Sequence, residues 1–102
     1  MIVRITADGQ VDLCEPLDFT SFSVQAPWET DPADVGRALV ANGWGEVEGD
    51  HAWILSDAVR AAASDEVDPG WAEKYEAMLR YATARGWWRE RDRAIRAHLA
   101  FA

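Results

Sequence analysis

A chain of 102 residues with 49% apolar content holds one domain, and its composition is that of a packed globule rather than a disordered tail. Its net charge of −8 speaks against general nucleic-acid binding, which needs basic surface to meet phosphate. A single cysteine, Cys14, excludes an internal disulfide framework, and with no signal-like apolar segment and no run as long as a membrane span, a cytoplasmic location is expected.

The opening segment MIVRITADGQVDLC reads as a β-hairpin. A two-residue Asp8-Gly9 loop would put Val11 and Leu13 on the opposite face from Val3 and Ile5. A three-residue loop over Ala7-Asp8-Gly9, with Gly9 left-handed, places all four apolar residues on one face and Arg4 opposite Asp12 on the other. The second register satisfies both faces and is the one expected. Phe22, Val24 and Ala26 then alternate with polar residues as a third strand ended by Pro27.

TDPADVGRALVANG carries helix punctuation: Asp31 as N-cap, Pro32 at the first helical position and Gly43 as a left-handed stop. WGEVEGDHAWIL reads as a second hairpin turning at Gly49-Asp50, pairing Glu46 with Trp53 and Glu48 with His51. Ser56 reads as the cap of a short helix. Asp68-Pro69-Gly70 opens a longer one, whose stripe of Trp71, Tyr75, Met78, Leu79 and Ala82 faces the core, with Glu76 and Arg80 paired outside it. Gly86 ends it. A last helix is expected from Trp88 onward, burying Trp88, Ile95 and Leu99.

Together these segments predict a single α+β domain over residues 1–102. A small antiparallel sheet comprises the N-terminal hairpin, the third strand and the second hairpin; helices pack on one face, and the C-terminal half is helical.

Six tryptophans invite a recognition reading, yet Trp44 and Trp87 follow helix-ending glycines. The residue after such a glycine packs back on the helix, here Trp44 on Leu39 and Trp87 on Ala82. Trp28, Trp53 and Trp88 have weaker structural duties, and tryptophan is enriched at binding hot spots.

Residues 1–55 carry ten acids against Arg4 and Arg37, whereas Arg85 to Arg96 holds five arginines against Glu90 and Asp92. Arg89, Arg93 and Arg96 are spaced as one stripe on the expected last helix. With Trp53 and Trp88 they form the candidate partner-binding set, and opposite charge poles on one small domain favour oriented association.

Catalytic signatures are sparse. Glu48 across from His51 is the one acid–base pair, at an exposed turn. No spacing of Cys14, His51 and His98 suggests a metal site, and no glycine-rich phosphate loop or dinucleotide fingerprint suggests a cofactor. His98 is explained as a cation near a helix C-terminus. The expectation is a non-catalytic protein–protein interaction module or accessory subunit, binding a protein partner or itself as a homodimer, with no nucleic-acid or membrane partner. The alternative is a small-molecule-binding protein or small enzyme with an aromatic-lined cavity.

Overall fold

The computed structural model describes residues 1–63 and 69–102. The elements run β1 (Ile2–Ile5), β2 (Val11–Cys14), β3 (Ser23–Ala26), α1 (Pro32–Ala41), β4 (Gly45–Glu48), β5 (His51–Leu55), α2 (Ser56–Ala63), α3 (Trp71–Ala84), β6 (Trp88–Arg89) and β7 (Ala94–Phe101). The strands form one curled, half-barrel sheet of seven, ordered β2-β1-β3-β7-β5-β4, with β6 added to β7.

The short-range expectations hold in detail. Val3 pairs with Leu13, Arg4 with Asp12 and Ile5 with Val11, and the Arg4 guanidinium donates to Asp12 from Nε at 3.1 Å and Nη2 at 2.7 Å. The second hairpin pairs Glu46 with Trp53 and Glu48 with His51. The Asp31 side chain accepts from the Ala33 N–H at 2.8 Å, capping α1. At the ends of α1 and α3, the N–H groups of Trp44 and Trp87 donate back to the carbonyls of Leu39 and Ala82, each at 2.8 Å. The Asp68 start expected for α3 lies outside the described residues.

Two larger expectations are overturned. The sheet is mixed and not antiparallel: β1 pairs with β3, and β3 with β7, in parallel. The C-terminal segment is not a helix. Residues 88–101 form a hairpin whose second strand, β7, lies at the centre of the sheet between β3 and β5. Ala94, Arg96, Ala97 and Leu99 are good helix formers, but propensity is a weak term beside burial and the ladder bonds of a central strand. Arg93 bends the chain into β7 at φ +54°.

Smaller corrections follow from packing. Ser56 is the first residue of α2 and is buried, its Oγ hydrogen-bonded to the Tyr75 hydroxyl at 2.9 Å rather than capping a helix. Glu76 pairs with Arg60 of α2 and not with Arg80.

Strand alternation divides the sheet cleanly. Val3, Val24, Ile54, Ile95 and Ala97 point to one side, where they share a single cluster with Val35 and Leu39 of α1, Val59 of α2 and Tyr75 and Leu79 of α3. No helix residue of that cluster lies on the other side, which carries Trp53, Arg96, His51 and His98. Among the described residues no helix is long and apolar enough to cross a membrane.

Candidate functional site

One concavity arises from a split in the sheet. β5 occupies one edge of β7 along Ala94–His98. The other edge is shared end to end: β6 pairs at Ala94 and Ile95, and β3 begins only at His98. Arg96 N–H still donates to the Trp87 carbonyl at 2.8 Å, but between that bond and the start of β3 no strand among the described residues continues the ladder. A cleft of about 380 Å³ opens there, within the range of small-molecule sites.

Its walls have two chemistries. Phe22, Met78, Tyr81 and Trp87 supply apolar surface. Trp87 is the residue whose indole was expected to bury against the end of α3. Its backbone makes the expected bond, but the residue is 37% exposed and its indole meets Tyr81 edge-on at 6.0 Å. Arg85 braces this pair, donating to the Tyr81 hydroxyl at 2.7 Å and lying 5.0 Å over the Tyr81 ring.

The charged and imidazole lining comes from β7 and the start of β5 with its turn (Asp50, His51, Arg96 and His98), and Thr20 and Ser21 before β3 add hydroxyls. His51 and His98 are directly opposed across β5 and β7, and Arg96 shares their face two residues along, as the period of a strand requires. His51 stands between two acids, with Nδ1 3.3 Å from Asp50 Oδ1 and Nε2 3.6 Å from Glu48 Oε1. The His51 imidazole holds the Asp50 carboxyl below its usual range. Arg96 and His98 differ from these: among the described residues neither makes a side-chain hydrogen bond or an ion pair within 4 Å.

The expected site residues therefore separate. Glu48 and His51 meet as expected at the turn, with His51 reaching the cleft. With the last helix gone, Arg89, Arg93 and Arg96 form no stripe. Arg89 lies 4.7 Å over the Trp53 ring and bonds Glu46 and Asp92. Arg93 lies 5.7 Å over Trp88, whose Nε1 donates to Glu90 at 2.6 Å. Only Arg96 of the expected partner-binding set lines the cleft.

Sequence reasoning missed His98 and the cleft role of Trp87. The signal for His98 was the period-two spacing Arg96-x-His98, which is visible only once the segment is read as a strand. Among the described residues no group of three or more His, Cys, Asp or Glu is placed to hold a metal ion. No family model matches this chain, and no curated protein or solved structure matches it either.

Proposed function

We propose that this protein is a small-molecule-binding domain whose ligand sits in the cleft beside β7. The observation that supports it is the juxtaposition, in one 380 Å³ cleft, of aromatic walls with Arg96 and His98, which make no side-chain hydrogen bond or ion pair within 4 Å among the described residues. Pockets of this size with a few convergent polar groups are the ordinary form of a ligand site. The experiment is a thermal-shift screen of small metabolites against the parent and Trp87→Ala. A ligand at 100 times its Kd adds about 2.7 kcal/mol to stability, a rise of roughly 10 °C or more in a domain of this size. Stabilisation of the parent that disappears in the variant supports the proposal. Equal stabilisation of both proteins moves the ligand elsewhere.

The second reading is an interaction module for a protein partner or a second copy. Trp28 favours it: this loop residue is 73% exposed, and exposed tryptophan is a frequent interface anchor. Sedimentation across concentration and salt tests self-association, and a chain that stays monomeric throughout removes the homodimer.

A further inference from the structure

Resting on the small-molecule reading above, we infer that the ligand is an organic anion: an apolar ring system carrying one carboxylate or sulfonate head. The head sits on Arg96 and His98, and the ring lies against Trp87 and Met78.

Four observations converge on that chemistry. Arg96 and His98 alternate on one face of β7, so two N–H-bearing side chains project into the same opening. Among the described residues neither makes a side-chain hydrogen bond or an ion pair within 4 Å, although the Arg96 charge reaches Asp50 at the rim, whereas two neighbouring arginines are held by side-chain partners. Arg85 is tied to Tyr81, and Arg89 to Glu46 and Asp92. The guanidinium fork of an unpaired arginine matches a planar carboxylate or a sulfonate oxygen pair.

The acids nearby do not cancel this. Glu48 and Asp50 both turn to His51, and the Asp50 side chain is 98% exposed at the rim, where water screens it. The remaining titratable group facing the cleft, Tyr81, accepts from Arg85 and is committed to the apolar wall. Opposite Arg96 and His98, Met78 and the Trp87 indole offer a sulfur and a flat aromatic surface, both of which favour a ring.

Two dyes that share a ring system and differ in charge test this on the intact chain. Anilinonaphthalene sulfonate carries the anionic head, and phenyl-naphthylamine lacks it; both brighten in apolar sites. The expected result is that the sulfonate binds the parent about 10-fold more tightly than the neutral dye, the increment of a charge-assisted hydrogen bond. Arg96→Gln should remove that advantage while leaving the neutral dye unchanged, and Trp87→Ala should weaken both. Arg80→Gln, at an exposed position of α3 outside the cleft, should change neither.

A sulfonate that binds no better than the neutral dye overturns the anion inference and leaves the cleft reading standing. Equal loss of both dyes in Arg96→Gln overturns it as well, because Arg96 would then be shaping the cleft and not binding charge. An effect of Arg80→Gln as large as that of Arg96→Gln assigns the binding to general surface charge and overturns it too. Failure of both dyes to bind the parent overturns the cleft reading itself.

Discussion

Arg89 lies across the helix-free face of the sheet, its guanidinium 4.7 Å above the Trp53 ring and its Nη1 2.9 Å from Glu46 Oε1. It starts on β6 and passes over β7, where Ala94 opposes it. Ala94 is fully buried without belonging to the main core, so one arginine covers a face that no helix of the described residues reaches. Only 16% of its side chain is exposed. Arg89→Ala should therefore cost about 1–2 kcal/mol through lost stacking and two stranded carboxylates. Arg89→Lys should recover less than half of that, since an ammonium cannot stack and fork together. Denaturant melts check both, and a lysine variant equal to the parent would reduce the strap to simple charge.

The same arginine creates an acid-sensitive element. It donates to Asp92 from Nε at 3.0 Å and Nη2 at 2.6 Å, and those bonds hold the carboxyl below its ordinary value of 3.8. A carboxyl depressed in the folded state favours folding above its unfolded value, and that contribution disappears as pH falls through the folded one. Asp92→Asn should then lose less stability than the parent between about pH 5 and pH 2. Melts at a series of pH values decide it: parallel acid limbs would show that Asp92 contributes nothing.

Two glycines should respond to alanine very differently. Gly86 has φ +78° with open space where a Cβ would stand, so Gly86→Ala carries only backbone strain, about 1 kcal/mol. At Gly45, φ is +147° and a Cβ would fall 1.9 Å from the Trp53 carbonyl oxygen. Gly45→Ala must push β4 off β5 and should cost well over 3 kcal/mol. Thermal melts rank the two, and equal losses would refute the close approach.

Arg93 gives a test of sign. At φ +54° in the turn before β7, it pays for a left-handed backbone that glycine adopts freely. Arg93→Gly should raise stability by about 0.5 kcal/mol, after subtracting its contact with Trp88. In a helix interior the same change would cost about 1 kcal/mol. A destabilised glycine variant would show that the contact with Trp88 outweighs the backbone strain.

Trp71 and Trp53 form a matched pair. Trp71 Nε1 donates to the Pro16 carbonyl at 2.8 Å, and its ring stacks on Tyr75 at 4.8 Å. Trp53 Nε1 is shielded and has no partner among the described residues. Replacing each with phenylalanine should cost Trp71 at least 1 kcal/mol more than Trp53, because only Trp71 loses a hydrogen bond and orphans a carbonyl. Chemical denaturation of the two variants measures the gap, and equal costs would contradict it.

What was legible in the sequence was local. The Asp8-Gly9 and Gly49-Asp50 turns set their registers, and Asp31 and Gly86 punctuated their helices, because each relationship closes within a few residues. The parallel pairing of β3 with β7 joins positions 75 apart in the chain (Ser23 with His98), and no local pattern encodes a distant neighbour. The C-terminal strand was hidden by arithmetic. Ile95 and Leu99 are four apart, a spacing that puts them on one face of a helix and equally on one face of a strand. The site inherited that error, since Arg96 and His98 share a face only in the strand.

The position of β7 bears on how the protein is made. Among the described residues, β2-β1-β3 and β5-β4 are two sub-sheets with no ladder between them except β7, the strand that leaves the ribosome after all the others described. Until it arrives, β3 and β5 each present a bare edge, the kind of surface that invites pairing with another chain. Completion of the sheet is thus a single late event that spans the whole domain, which favours slow folding and places a nascent chain's most vulnerable interval just before its last strand is released. The cleft comes into existence at that same moment, because Arg96 and His98 are carried on the strand that joins the two halves.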